Sequence, residues 1–259
     1  MQVIPNVPDA VWLNLSPSLQ AFNCPLLHDL SNHVSIDHWE YSQTLDEPAS
    51  LEIALDLLTQ YLDQRRSSGQ DNAPVHLLGH NMGGLLGLLY ARRYPQQVKS
   101  LTLLAVGANP AITWQAHYYT LLELLVCDRR MLLHQMVHQL FGSPSPSVVQ
   151  NLVRSLEQDL EQSPSLHSLL KRGHVSAGGA AVPMLVCGSK DDAVVDPTQI
   201  KRWKQWLKPS DRLWLCPGGR HFFHYIYAEL VAEQIIGFWD RLEARKKLEM
   251  TWDRLPMFT

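Results

Sequence analysis

Apolar residues follow two different patterns along this chain. In the first pattern, short and nearly continuous apolar runs are bounded by Gly, Pro or polar residues, which is typical of buried strands. In the second, apolar residues recur every three or four positions, which is typical of amphipathic helices. The two patterns alternate along most of the chain. This alternation predicts an α/β fold in which helices cover both faces of a mostly parallel sheet.

The predicted elements can be placed approximately. Apolar runs predict strands over 10–15, 34–36, 75–78, 98–107, 183–188 and 211–216. Helical spacing predicts helices over 51–62, 85–91, 199–207 and 229–242. Residues 109–180 break the alternation, because their apolar residues recur at helical spacing over 114–126, 129–140 and 148–160 without a strand-like run. This segment therefore predicts a group of helices inserted between two strands.

The composition restricts the classes of function. The 259 residues carry a net charge of -3 and a pI near 6.4, which favours neither nucleic-acid binding nor attachment to an anionic membrane. No apolar run approaches the ~20 residues of a membrane-spanning helix, and the N-terminus lacks a secretory pattern. The four cysteines lie far apart without C-x-x-C spacing, which suits a reducing compartment. We therefore expect a cytoplasmic protein that binds no nucleic acid and spans no membrane.

Candidate chemistry centres on residues 79–84, Gly-His-Asn-Met-Gly-Gly, which join a predicted strand to a predicted helix. The glycines let the strand and the helix approach each other closely at a sharp turn. Asn81 stands at the centre of that turn, and Asn tolerates a positive φ better than most residues. The stretch resembles the Gly-x-Ser-x-Gly nucleophile elbow of the α/β-hydrolase superfamily, with Asn81 where that family carries serine.

The resemblance implies a particular organisation of the chain. Residues 1–108 and 181–242 correspond to the two parts of an α/β-hydrolase core, and residues 109–180 to a helical cap that covers the site. Residues 243–259 then form a C-terminal tail, which we expect to dock on the core or on a partner.

The resemblance also nominates an acid and a histidine. In this superfamily the acid follows a late strand and the histidine follows the last strand. The Gly-x-x-Asp pattern at 188–191 nominates Asp191, with Asp192 and Asp196 as neighbouring alternatives. The glycine pair at 218–219 nominates His221, with His224 as the lesser candidate.

Oxyanion or ligand contacts are expected from residues beside the turn and from the loop after the first strand. Met82 follows Asn81 and His80 precedes it, so both are candidates. In the loop, Ser16 and Ser18 flank Pro17, which has no N–H to donate. The residues do not single out one of the two serines.

Asn81 removes the usual chemistry of such a site. Its amide nitrogen is delocalised into the carbonyl, so an imidazole cannot turn it into a nucleophile as it does a serine hydroxyl. The leading hypothesis is a non-catalytic pseudo-hydrolase that binds a small molecule in a capped pocket, or a protein partner. One alternative is an active hydrolase that uses Asp191 and His221. The other is a dehalogenase- or epoxide-hydrolase-like enzyme whose Asn81 has deamidated to Asp.

No metal or cofactor is expected. His134 and His138 lie one helical turn apart, but the segment lacks the Glu of the zinc-protease helix and has no third ligand nearby.

Overall fold

The computed structural model of the chain describes residues 9–42, 50–67, 73–163 and 175–252. Six strands form one sheet: β1 Ala10–Asn14, β2 Ile36–Glu40, β3 Val75–His80, β4 Val98–Leu104, β5 Met184–Ser189 and β6 Arg212–Cys216. Their order is β2-β1-β3-β4-β5-β6, and all five neighbouring pairs are parallel. The carboxyl ends of the strands therefore meet at one edge, which is the edge where α/β proteins place their sites.

Helices connect the strands as the alternation predicts. They are α1 Cys24–Ser31, α2 Glu52–Ser67, α3 Met82–Arg93, α4 Trp114–Leu124, α5 Arg129–Phe141, α6 Pro146–Gln162, α7 Pro197–Lys201, α8 Phe223–Ile226 and α9 Ala228–Trp252. Short 3₁₀ helices occupy Pro17–Phe22, Pro95–Gln97 and Arg202–Gln205. None of the helices within the described ranges combines the length and apolarity that crossing a bilayer requires.

Each face of the sheet has its own apolar core. Leu13 and Leu77 point to one face, where α2 and α3 contribute to the same cluster. Trp12 and Leu78, their neighbours in the chain, point to the other face and pack with α1 and α9. Successive residues of a strand face opposite sides, so both sets are buried and the strands form continuous apolar runs.

Three predicted boundaries are corrected by the structure. Strand β2 extends to Glu40, beyond the short apolar run that predicted it. The helix expected over 199–207 begins earlier, because the Asp196 side chain caps it and Pro197 occupies its first position. The closing helix does not end at residue 242. It continues to Trp252, and the Arg245–Glu249 ion pair bridges one turn of the extension.

The inserted helices α4, α5 and α6 lie between β4 and β5 in the chain. Helix α6 packs against the 3₁₀ helix Pro17–Phe22, which follows β1. Gln115 of α4 also contacts Asn81 in the turn after β3, and Asp159 of α6 contacts Gln115. The inserted helices thus lie over the carboxyl edge of the sheet.

Candidate functional site

Asn81 occupies a sharp turn between β3 and α3. Its torsions, φ 48° and ψ -116°, match the first central residue of a type II′ turn, for which ideal values are about +60° and -120°. Glycine is favoured there, and the ψ value lies outside the left-handed helical region in which Asn is well tolerated. The expectation that Asn suits this backbone therefore holds for φ and fails for ψ.

The glycines around the turn permit very close backbone contacts. A Cβ atom on Gly83 would lie 2.0 Å from the carbonyl oxygen of Leu13. A Cβ atom on Gly79 would lie 2.4 Å from the carbonyl carbon of Gly83. Strand β3, helix α3 and strand β1 can therefore meet only where side chains are absent. This close approach is the reason that the sequence analysis gives for the glycines.

A chain of polar contacts joins Asn81 to the inserted helices. Asn81 is 4% exposed, and its Nδ2 donates to Oε1 of Gln115 on α4 at 3.3 Å. Gln115 Nε2 in turn donates to Oδ2 of Asp159 on α6 at 2.9 Å. Asn81 Oδ1 is buried without a hydrogen-bond partner among the described residues. The amide at the turn is thus tied to the helices above it by its nitrogen only.

Asp159 is the centre of this network. It is fully buried, and besides Gln115 it accepts hydrogen bonds from Ser163 Oγ at 2.6 Å, Trp114 Nε1 at 3.1 Å and Ser18 Oγ at 3.3 Å. No described cation forms a salt bridge with it. Burial raises the pKa of its carboxyl group to about 6, and the hydrogen bonds from its neighbours oppose this rise.

Ser16 and Ser18 have partners other than an oxyanion. The Ser16 N–H donates to the side chain of Asn14 at 3.2 Å, and the Ser16 hydroxyl oxygen lies 3.4 Å from Ser163 Oγ. The Ser18 hydroxyl donates to Asp159. The two serines therefore attach the loop after β1 to α6. Ser16 still lines the cavity beside Asn81, whereas Ser18 does not.

Met82 and His80 flank Asn81 as expected. Met82 is the first residue of α3, where a backbone N–H has no acceptor within its own helix. His80 Nε2 donates to the backbone carbonyl of His221 at 2.9 Å. Burial lowers the pKa of His80 well below its usual value, and the neighbouring His224 and His221 lower it further. His80 is thus a neutral donor that ties the turn after β3 to the loop after β6.

The structure pairs His221 with Asp192 and not with Asp191. His221 Nδ1 lies 2.9 Å from Asp192 Oδ2, and both side chains are fully buried. Asp192 Oδ1 accepts the N–H groups of Val194 and Val195 at 2.8 and 3.1 Å, which turns its carboxylate inward. The prediction of Asp191 as the partner of His221 is therefore wrong by one residue.

The other candidates at these two loops have separate contacts. Exposed Asp191 accepts from Ser189 Oγ at 2.6 Å and from the Arg220 N–H at 2.8 Å. Its burial alone would raise the pKa of Asp191, but these hydrogen bonds outweigh it and lower the pKa. Asp196 caps α7 through Thr198 and Gln199.

His221 and His224 differ in what their rings contact. His224 Nε2 lies 3.0 Å from Asn23 Oδ1, and burial lowers its pKa to about 3, so it is neutral. His221 Nε2 is buried without a partner among the described residues. The ring of His80 lies 4.9 Å from that of His221 and 4.4 Å from that of His224, measured between centroids. Each histidine has one ring nitrogen without a partner among the described residues, Nε2 in His221 and Nδ1 in His224. What separates them is that His221 contacts the carboxylate of Asp192, whereas His224 contacts the side-chain amide of Asn23.

The cavity beside Asn81 is very small. Its volume is about 10 Å³, and its lining includes Ser16, His80, Trp114 and Phe222. This is close to the minimum for one water molecule, whereas sites for drug-sized ligands have ~300–1,000 Å³. A larger cavity of about 520 Å³ lies at the opposite edge of the sheet, near Lys99, Pro183 and Lys208. With α4–α6 in this position, the cavity that the described residues form beside the turn is too small for a drug-sized ligand.

Sequence reasoning missed Gln115 and Asp159. One signal was available for Asp159, which continues the buried stripe of Leu152 and Leu156 on α6. A lone acid in an apolar helical stripe indicates a buried polar contact. Gln115 offers no such signal, since its role depends on the angle between α4 and β3.

The carboxyl group of Asp159 makes the stability of the protein pH-dependent. An unfolded Asp loses its proton near pH ~4, whereas folded Asp159 does so near its pKa of about 6. The folded state therefore loses stability as the pH rises through this window. We expect Asp159→Asn to be more stable than the natural protein by about 1–3 kcal/mol above pH 6, and the difference to vanish below pH 4.

Urea unfolding of both proteins between pH 4 and pH 8 measures this difference. His76, His80 and His224 also have lowered pKa values, but they are common to both proteins and cancel in the comparison. A variant that is less stable at pH 7 would show that its four donors stabilise the Asp159 carboxylate more than burial destabilises it.

No group of three or more His, Cys, Asp or Glu side chains that could hold a metal occurs among the residues the structure describes. His138 Nδ1 lies 3.1 Å from the carbonyl oxygen of Gly142 in the loop after α5. The loops around Asn81 and His221 therefore contain the titratable and polar groups that define the candidate site.

Comparisons with known proteins agree with this architecture. Residues 48–225 match the family described as serine aminopeptidase, S33. An uncharacterized protein of Nostoc sp. (strain PCC 7120) is 45% identical over 231 residues, which are 89% of this chain and 90% of that protein. Another from Synechocystis sp. (strain PCC 6803) is 42% identical over 250 residues, covering 96% and 97% of the two chains.

Solved structures show the same fold at low sequence identity. The enol-lactonase from Burkholderia xenovorans LB400 aligns with a TM-score of 0.62 over 92% of this chain and 94% of that chain, at 16% identity. Such a likeness establishes the fold alone. Together with the parallel sheet, it confirms the predicted α/β-hydrolase fold.

Proposed function

The chain belongs to the serine aminopeptidase S33 family of α/β hydrolases, and we propose that it is a non-catalytic member that uses the fold for binding. The observation that carries this proposal is the amide of Asn81 at the turn between β3 and α3. Serine-type catalysis needs a group there that an imidazole can deprotonate, and an amide does not provide one. The buried contact with Gln115 further commits this amide to a structural role.

Helices α4–α6 act in this proposal as a closed cap. The contacts from Asn81 through Gln115 to Asp159 join the turn after β3 to two of these helices. Ser18 adds a contact from the loop after β1. In an active hydrolase, the same place must admit substrate. Here hydrogen-bonded side chains occupy that place. This supports the proposal that residues 109–180 form a cap that stays closed over a core made of residues 1–108 and 181–242.

A protein is the partner that this arrangement favours. The cavity of about 10 Å³ beside Asn81 leaves no room for a small molecule unless the cap opens. Leu124, Val126 and Met131, around the connection from α4 to α5, expose 73%, 110% and 62% of their surface. These three residues lie close together in the chain, and contiguous exposed apolar patches often mark interaction sites.

The cysteines support a reducing compartment, and we place the protein in the cytoplasm. All four of them are free, including Cys187 and Cys216, which lie on the adjacent strands β5 and β6. Burial raises the pKa of both thiols, so they are unreactive core residues.

An active hydrolase is the second candidate, because one observation favours it. His221 is paired with Asp192 and keeps a free Nε2, which is the arrangement of a general base. Such a base could act on water or on a hydroxyl group of a substrate. Deamidation of Asn81 would place a carboxylate at the turn.

Assays of ester hydrolysis test the proposal directly. We expect the natural protein and His221→Ala to hydrolyse short p-nitrophenyl esters at the same rate as buffer. Turnover by the natural protein that His221→Ala abolishes would contradict the proposal and establish the active hydrolase. Melting in the presence of the same esters and their carboxylic acids supplies a second readout, because a bound small molecule raises the melting temperature. The protein-binding proposal predicts no such shift.

A further inference from the structure

We propose that Asn81 is a site of spontaneous cyclisation, at which its side chain closes on the backbone nitrogen of Met82 to form a cyclic imide. The backbone of the turn itself carries this inference. It does not rest on the binding function, since the reaction needs only the fold, and its products can be measured whether or not the protein has a partner.

The ψ angle of Asn81 brings its side chain onto the same side as the nitrogen of Met82, which is the arrangement that ring closure requires. A five-membered imide contains Cα, Cβ and Cγ of Asn81, its carbonyl carbon and the nitrogen of Met82. The ring can close only when the torsion angle Cβ–Cα–C–N, in which N is the nitrogen of Met82, is near zero. Substituents on a tetrahedral carbon are about 120° apart in projection, so in an L-residue this torsion is ψ plus about 120°. For Asn81, ψ is -116°, and Cβ nearly eclipses the Met82 nitrogen.

The fold maintains this unusual angle. The contact that Gly83 makes with the carbonyl of Leu13 and the contact between Gly79 and Gly83 leave the turn no space to relax. An unfolded chain must find the eclipsed rotamer and lose conformational entropy to hold it. The folded chain already holds this rotamer, so the activation free energy of the cyclisation lacks that entropic cost.

The bonds change as follows. The Met82 nitrogen loses its proton to solvent base and attacks Cγ of Asn81, forming the new N–Cγ bond. The Cγ–Nδ2 bond breaks, and Nδ2 leaves with a proton as ammonia, so the chain becomes lighter by one ammonia. A water molecule can then add to either imide carbonyl. Opening the N–Cγ bond gives an aspartate in place of Asn81, and opening the original peptide bond gives the β-linked isomer.

The surroundings leave the reacting groups available. Met82 begins α3, so its N–H has no acceptor within the helix. Asn81 Oδ1 has no partner among the described residues, and Nδ2 has one contact at 3.3 Å. Rotation about the Cα–Cβ bond therefore costs one long hydrogen bond. The adjacent cavity of about 10 Å³ holds at most one water molecule, so we expect the imide to form faster than water opens it.

Asn23 and Asn32 are matched controls within the chain. Their ψ angles are -23° and -14°, which turn Cβ roughly 100° away from the next nitrogen by the same geometry. The fold should therefore protect these two residues, as it protects most ordered asparagines, while it accelerates the reaction of Asn81.

The experiment compares reaction rates in folded and unfolded protein. The natural protein is incubated at pH 8.5 and 37 °C, with and without 8 M urea, and its tryptic peptides are analysed by mass spectrometry. The expected products are a loss of about 17 Da, and later a gain of about 1 Da. Fragment spectra must separate Asn81 from Asn72, since both lie in the tryptic peptide 67–92.

We expect Asn81 to react roughly 5- to 30-fold faster in the folded protein than in urea. This ratio corresponds to the conformational entropy cost of restraining the backbone of one residue. Asn23 and Asn32 should react more slowly in the folded protein than in urea. Asn81→Gln, which would need a six-membered ring, should show neither mass change at position 81. The proposal is overturned if Asn81 reacts no faster in the folded protein than in urea, whatever the esterase assays show.

Discussion

Asn81→Ser is expected to hydrolyse p-nitrophenyl acetate about 10³-fold faster than the natural protein. The substitution places a hydroxyl group at the turn between β3 and α3. His221 Nε2 is buried and free, and Asp192 holds the other ring nitrogen at 2.9 Å. The general base and its orienting acid would thus be present before the nucleophile is added.

The expected gain is smaller than that of a complete hydrolase. A missing triad member costs ~10⁶-fold in rate, and a missing oxyanion donor costs ~10²–10³-fold. The Met82 N–H at the start of α3 is available as one donor. The Ser16 N–H donates to Asn14, so it can act as the second donor only if the loop rearranges. Restoring the nucleophile without that donor leaves about 10³-fold.

Initial rates with a small ester such as the acetate suit this test, because the cavity is nearly closed. Two controls isolate the mechanism. Asn81→Ala removes the amide without adding a hydroxyl and should remain inactive. Asn81→Ser combined with His221→Ala should lose the gained activity. If Asn81→Ser is as inactive as Asn81→Ala, a hydroxyl group at the turn is insufficient for catalysis, and the oxyanion donors or substrate access are inadequate as well.

The alternation of strands and helices along the chain and the position of the turn could be predicted because they depend on local sequence. Buried parallel strands need continuous apolar runs, and the close approach at the turn needs Gly79 and Gly83. Both requirements can be read within a few residues. The inserted helices were equally clear, since α6 carries a strong apolar stripe on one side.

The partner of His221 could not be predicted with the same certainty. Asp191 and Asp192 are adjacent acids after the same strand, and a shift of one residue reverses which of them points inward. The choice depends on the N–H groups of Val194 and Val195, which capture Asp192. The Gly-x-x-Asp pattern specifies only the distance in sequence from Gly188, so it does not show which of the two carboxylates points inward. A useful clue was the apolar pair after the second acid, which draws that loop into the core.

Contacts between distant segments lay beyond sequence reasoning altogether. The link from Asn81 to Gln115 and Asp159 spans three elements, and its geometry depends on how α4 and α6 sit on the sheet. This network changes the interpretation of the site. The amide of Asn81 does more than occupy the turn, because it links the turn after β3 to helices α4 and α6.

The adjacent acids also allow a direct test of the corrected pairing. We expect Asp192→Ala to destabilise the protein by about 3–5 kcal/mol, because it removes the buried partner of His221 and the acceptor of two buried N–H groups. Asp191→Ala should cost only about 1 kcal/mol, since water can replace the lost contacts at its exposed site. Urea unfolding of the two variants measures both values. Equal costs for the two would contradict the assignment of Asp192.

Asp192→Asn separates the role in stability from the role in chemistry. The amide keeps an oxygen for Val194 and Val195, so this variant should fold even if Asp192→Ala does not. Its NH₂ group would face His221 Nδ1 and force the proton onto Nε2, which can then no longer accept one from a serine. In the Asn81→Ser background we therefore expect Asp192→Asn to remove all of the ~10³-fold gain, because the same change costs ~10⁴-fold in a serine protease. Asp191→Asn in that background should retain the activity, and loss of activity there instead would return the acid's role to Asp191.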